Sequence, residues 1–109
     1  MAAVTMLALL ILAHLAFDYA LQGDFMAKAK NHKAPIPGVP WQTILVSHAA
    51  MHALAVFLIT GSVVCAMVEQ SAHTLIDYAK SDGRLTFNAD QALHIACKVG
   101  YVLALGAFA

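Results

Sequence analysis

Histidine and carboxylate side chains recur at four-residue spacing along this chain. His14, Asp18 and Gln22 follow one another in that spacing, as do His48 and His52, then Glu69, His73 and Asp77, and finally Asp90, His94 and Lys98, with Gln91 beside Asp90. On a helix this spacing places side chains on one face, so each segment carries a single polar stripe. Imidazole nitrogen and carboxylate oxygen form the donor set of zinc and related divalent ions, and two donors one turn apart suit chelation. The candidate metal ligands are His14, Asp18, His48, His52, His73, Asp77, Asp90 and His94. They exceed what one ion needs, so either two ions bind or some aspartates orient the imidazoles from behind. Zinc is the first expectation for the divalent metal, with iron and manganese as alternatives. An ion with an open coordination position activates water for hydrolysis. Asp18, Asp77 and Asp90 are then the candidate catalytic carboxylates, and Lys98 a candidate for stabilising developing negative charge. The competing reading is a metal-free network of buried His–Asp hydrogen bonds.

The elements that must position these groups are apolar. Of 109 residues, 61% are hydrophobic and only 11% charged, well outside the ordinary soluble range. A soluble domain this small is mostly surface and could not hide so much apolar area. Six Lys/Arg balance six Asp/Glu, so no basic face for nucleic acid is expected. Cys65 and Cys97 sit in apolar runs and make neither a metal motif nor a disulfide framework. The composition therefore predicts an all-α integral membrane protein, a single domain over residues 1–109.

Four helices are expected, at about 1–22, 41–60, 63–80 and 88–108, in an up-down bundle. Met1 to Ala13 lacks the basic start of a signal peptide and reads as a retained span. Residues 23–40 read as a cytoplasmic loop, with Lys28, Lys30 and Lys33 followed by Pro35, Pro37 and Pro40. Gly61-Ser62 and Ser81 to Arg84 are the other turns, and Asn88 with Gln91 resembles a capping box for the last helix. Lys28, Lys30, Lys33, Lys80 and Arg84 all fall at one end of this bundle. The positive-inside rule makes that end cytoplasmic and both termini external, in a multi-pass protein of the bacterial inner membrane.

At 1.5 Å per residue, Asp18, Asp77 and Asp90 fall about 3–6 Å inside the cytoplasmic end and His14, His48, His73 and His94 about 9–12 Å. His52, Glu69 and Lys98 come next, and the shared depth of Glu69 and Lys98 suggests a buried ion pair. An internal echo accompanies the tiers. His14-Leu-Ala-Phe-Asp18-Tyr19-Ala20 parallels His73-Thr-Leu-Ile-Asp77-Tyr78-Ala79, and His48-xxx-His52 parallels His94-xxx-Lys98. Two helix-hairpin repeats would produce that pattern. His32 reads as a solvated loop residue, and Tyr19, Trp41 and Tyr78 as interfacial anchors.

These motifs resemble a bacterial and phage family of small integral membrane proteins of unknown function. Its H-x-x-x-D-F-x-x-Q opening matches His14 to Gln22 with Tyr19 in place of Phe, followed by a basic loop, a second His helix and Asp90-Gln91-xx-His94. The resemblance covers most of the chain and implies a fold but no activity. A looser similarity links the chain to inner-membrane metal-dependent hydrolases, although their H-R-x-x-T-H opening is absent.

The expected function is an intramembrane metal site near the cytoplasmic face, serving hydrolysis of a lipid-linked or phosphorylated substrate. A proton or cation path is the first alternative, since ionisable stripes also build such paths. A phage lysis or exclusion factor acting by interaction is the second. The bilayer is the expected partner, with self-association into a homo-oligomer compatible with the apolar surface.

Overall fold

The structure is a computed structural model, and it describes residues 1–107. Five α-helices carry the chain: α1 (Ala3–Leu15), α2 (Gly23–Ala29), α3 (Trp41–Thr60), α4 (Val63–Ser81) and α5 (Phe87–Ala107). No strand occurs among the described residues. The four long helices α1, α3, α4 and α5 close a ring in which each packs on the next. The count of five, where four were expected, reflects α2. That segment was read as loop because of its lysines and the prolines that follow. Yet the first proline is Pro35, so nothing in residues 23–29 forbids a helix. Ala29 at the end of α2 is fully buried, in a helix that packs on α3.

A second departure lies at the end of α1. An uninterrupted helix to Gln22 was expected, but Ala16–Ala20 forms a π turn, closed by Leu21 N–H donating to the Ala16 carbonyl at 2.8 Å. Widening the helix by one residue per turn leaves backbone groups to be satisfied, and such bulges are frequent at functional sites. The Gln22 side-chain amide donates to the Asp18 carbonyl at 2.9 Å, tying the bulge together.

The remaining boundaries follow local chemistry. Gly61 adopts φ +69° and ends α3, its N–H donating to the Phe57 carbonyl at 2.7 Å. Ser62 Oγ then accepts from Cys65 N–H at 3.1 Å and starts α4, so α3 and α4 form a tight antiparallel hairpin. Helix α5 starts one residue earlier than expected. Its N-terminal N–H groups are met by Thr86, whose Oγ1 accepts from Ala89 N–H at 3.0 Å. The Asn88–Gln91 capping box does not form, because Gln91 turns inward to His14 and Asp18. The expected end at Phe108 lies outside the described residues.

The distribution of side chains is inverted relative to a water-soluble bundle. His14, His48, His52, Glu69, His73, Asp77, Asp90, His94 and Lys98 are all buried. Large apolar groups point outward instead, among them Val4 at 81% exposure, Val64 at 71%, Leu58 at 71% and Leu75 at 68%. Beyond the polar layer, Leu10, Val56, Cys65 and Tyr101 form a small apolar core. Two segments, Ala3–Ala20 and Trp41–Thr60, are long and apolar enough to cross a membrane. Helix α4 carries Glu69, Asp77 and Lys80, and α5 carries Asp90 and Lys98, which lowers their hydropathy.

Candidate metal centre

The centre is built around Asp18, delivered by the π turn. Its Oδ1 lies 3.0 Å from His48 Nε2, 2.9 Å from His52 Nε2 and 3.5 Å from His73 Nε2. Its Oδ2 faces the other way, 3.3 Å from His14 Nε2 and 3.2 Å from the amide nitrogen of Gln91. One carboxylate thus touches four imidazoles contributed by α1, α3 and α4. The four-residue spacing on each helix makes this arrangement, since each stripe must face the ring's interior.

Asp77 on α4 repeats the pattern. Its Oδ1 lies 3.0 Å from His94 Nε2, matching the Asp18–His48 contact, and its Oδ2 lies 3.3 Å from His73 Nε2, matching Asp18–His14. The correspondence ends deeper in the bundle. His52 contacts Asp18, whereas its counterpart Lys98 donates to Glu69 Oε1 at 2.6 Å, the buried ion pair expected from their shared depth. Glu69 also receives the Tyr101 hydroxyl on Oε2 at 2.6 Å and lies 3.1 Å from His73 Nδ1 through Oε1. Contact with Glu69 through Nδ1 leaves His73 Nε2 facing Asp18 and Asp77. Tyr101 was not foreseen; it stands three residues beyond Lys98 on the same stripe, and that spacing was the available signal.

All eight candidate ligands converge on this interior. Asp18, His48, His52 and His73 each place one ligand atom within 4.8 Å of one another, as do His14, His73 and His94, and Asp18, Asp90 and His94. Asp77 joins through its contacts to His48, His73 and His94. Five buried atoms of these residues, His14 Nδ1, His48 Nδ1, His52 Nε2, His73 Nε2 and Asp90 Oδ1, have no hydrogen-bond partner, and the last three face the centre. His52 Nε2 is close to Asp18 Oδ1 but out of line with it. Buried polar atoms without partners are costly, and a cation set among these nitrogens and oxygens would relieve them. Glu69, Asp18, Asp77 and Asp90 face only Lys98 and Lys30 as fixed cations, a surplus of two negative charges if the imidazoles are neutral. The donor set therefore fits a divalent ion.

A cavity of about 230 Å³ reaches this centre from the end bearing the basic residues. Asp18, Asp77, Asp90 and Gln91 form its inner wall, and Tyr19, Gln22, Lys30, Asn31 and Lys80 line the way in. Lys30 Nζ bonds Asp77 Oδ2 at 3.0 Å. Lys98, expected to stabilise negative charge, is not part of the cavity; its ammonium is committed to Glu69, and Lys30 and Lys80 stand where that role is needed. Lys30 was read first as a topology signal, with anionic headgroup contact second, because its reach into the bundle depends on α2.

His32 is likewise not a free loop residue. Its ring stacks on Tyr78 with centroids 3.8 Å apart and 3° between planes, beside Trp41, and its Nε2 lies 2.7 Å from Asp82 Oδ1. This bond holds the Asp82 carboxyl below the usual carboxylate range. The stack pins the segment after α2 against the end of α4.

A family model described as a protein of unknown function (DUF3307) matches residues 6–106. The chain belongs to this family. The match runs from α1 almost to the end of α5, so it takes in every residue of the His/Asp centre. No curated protein and no solved structure matches the chain.

Proposed function

We propose that this family member is a multi-pass membrane protein that holds a divalent metal ion between Asp18, His48, His52 and His73 and hydrolyses a phosphorylated or lipid-linked substrate. The observation that carries the metal reading is the convergence of three imidazole Nε2 atoms on Asp18 Oδ1, in a buried space where two of the three lack hydrogen-bond partners. Zinc is the ion of first choice for this donor set, with iron and manganese next. The bilayer placement rests on the outward apolar side chains and on two helices of spanning length. The basic residues beside the cavity favour a cytoplasmic mouth with both termini on the far side. On this reading the two halves of the bundle are helix-hairpin repeats, as the paired Asp–His distances suggest.

A bound ion of this kind supplies a water of lowered pKa and polarises a phosphoryl oxygen. Asp77 stands at the cavity wall to take the proton of the attacking water. As the P–O ester bond breaks, the same proton passes to the departing alkoxide. Lys30 and Lys80, with the amides of Gln22 and Asn31, suit an anionic phosphoryl group and steer it toward the centre. A conducting path is disfavoured by the apolar cluster of Leu10, Val56, Cys65 and Tyr101 beyond the polar layer.

Elemental analysis of chelator-free, detergent-purified protein tests the proposal, beside a His48→Ala/His73→Ala control. Near-stoichiometric zinc, iron or manganese, absent from the control, supports it, and phosphate release from simple phosphomonoesters is then measured. No metal above background, even after addition, overturns it.

A further inference from the structure

We infer that the centre holds a pair of divalent ions bridged by Asp18. This deepens the metal reading above and rests on it. The two oxygens of Asp18 are divided between separate ligand sets. Oδ1 faces His48, His52 and His73, while Oδ2 faces His14. Besides the Gln91 amide at 3.2 Å, the second oxygen meets an imidazole outside the first set, and that imidazole lies among further donors. His14 groups with His94 and with His73 of the first set, and His94 in turn groups with Asp18 and Asp90. Asp90 is 97% buried by its 3% exposure, and its Oδ1 has no hydrogen-bond partner. It lies 3.6 Å from His94 Nε2. A second ion between His14, His94, Asp90 and Asp18 Oδ2 gives that oxygen a partner.

Two features of the surroundings agree. The first set already has enough donors for a complete site without His14, His94 or Asp90, whose other contacts are to Asp77 and Gln91 and which leave Asp90 Oδ1 unpartnered. One divalent ion offsets the surplus of buried negative charge, and a second turns the inner wall of the cavity positive. An anionic substrate group entering past Lys30 and Lys80 would neutralise it, and paired ions are a recurrent device for in-line displacement at phosphorus. The Gln91 Oε1 contact to His14 Nε2, at 2.9 Å, is exchanged for the ion on loading. Gln91 is part of the cavity wall and has room to turn.

Chelator-stripped protein in detergent, dialysed against Zn²⁺ and then against metal-free buffer, gives the stoichiometry by elemental analysis. Two ions per chain are expected, falling to one in His14→Ala/His94→Ala. The wild-type protein loaded with Mn²⁺ is examined in parallel by electron paramagnetic resonance, where an exchange-coupled signal is expected. This second readout stands even if the variant does not fold. One ion per chain with the signal of isolated Mn²⁺ overturns the pair and leaves the single-ion reading intact. No bound ion overturns both.

Discussion

His73 Nδ1 lies 3.1 Å from Glu69 Oε1, one turn back on α4, and the same oxygen accepts from Lys98 Nζ at 2.6 Å. Glu69 therefore orients an imidazole and neutralises a fully buried ammonium at once. Removing one member of a buried pair leaves an uncompensated charge and costs about 3–5 kcal/mol. Lys98→Met and Glu69→Gln should each destabilise by that order in chemical denaturation from detergent. Combining them should recover most of the loss, because no buried charge is left alone. Metal affinity should behave differently. Losing an outer partner of a ligating His costs about 10- to 100-fold, so the double variant should stay weak in metal binding while regaining stability. With a purely structural ion pair, stability would return in the double variant and metal affinity would stay at the wild-type level throughout.

Metal removal should lower stability through mass action. An ion present at a thousandfold its dissociation constant adds about 4 kcal/mol to the folded state. Chelator treatment should therefore lower the thermal midpoint, and re-addition of the same ion should restore it. Asp18→Asn should show a chelator-insensitive midpoint, since Asp18 touches four imidazoles and is central to both oxygen-facing sets. An unchanged wild-type midpoint across the chelator titration would contradict the metal site.

The inverted surface makes a different prediction. Leu75 and Leu54 point outward at 68% and 57% exposure, close to the middles of α4 and α3. In water a charge at such a position shifts stability by within about 0.5 kcal/mol. Facing hydrocarbon near mid-span, it costs about 2.5–3.5 kcal/mol. Leu75→Asp and Leu54→Arg should thus reduce membrane-inserted yield sharply, with a Thr60 substitution near the turn as the milder comparator. Wild-type accumulation of both charged variants would count against bilayer placement.

Much of this architecture was legible because four-residue spacing survives any detail of packing. The stripes put His14, Asp18, His48, His52, His73, Asp77, Asp90 and His94 on inward faces, and all eight meet there. Three things were not legible. The π turn at Ala16–Ala20 changes hydrogen bonding without changing composition, so no residue type announces it. Helix α2 hides behind its lysines, and with it the approach of Lys30 to Asp77. His32 looked solvated because its partners, Tyr78 and Asp82, lie more than forty residues away along the chain. Long-range stacking of that kind leaves no periodic trace.

The His32 stack should loosen in acid. His32 holds the Asp82 carboxyl below its usual range, with Lys33 Nζ at 3.5 Å and Arg84 Nε at 3.1 Å as further cations around it. A carboxylate depressed in the folded state contributes stability above its unfolded value of about 3.9, and loses it as pH falls through the folded value. Trp41, whose ring lies 5.3 Å from His32, reports this segment. Its fluorescence should change as pH falls below the ordinary carboxylate range. Asp82→Asn should abolish that acid step. A step of equal size in the variant would assign the change to other groups.

Lys30 separates substrate handling from metal holding. Its ammonium bonds Asp77 Oδ2 at 3.0 Å and lines the cavity, but it cannot ligate a cation. Lys30→Gln should retain wild-type metal content. If hydrolysis of a phosphate ester is established, the variant should lose affinity for the anionic group, seen as a raised KM or weaker inhibition by inorganic phosphate. A charge-assisted hydrogen bond is worth about 1.5–3 kcal/mol, which corresponds to a weakening of about 10- to 150-fold. The salt dependence should flatten as well, because a cation at the mouth attracts anions over a screened distance of about 10 Å. Loss of metal from Lys30→Gln would instead mean that Lys30 acts by fixing Asp77, and the cavity would need another reading. Retained metal with unchanged phosphate affinity would move the anion site to Lys80, the other ammonium group lining this cavity.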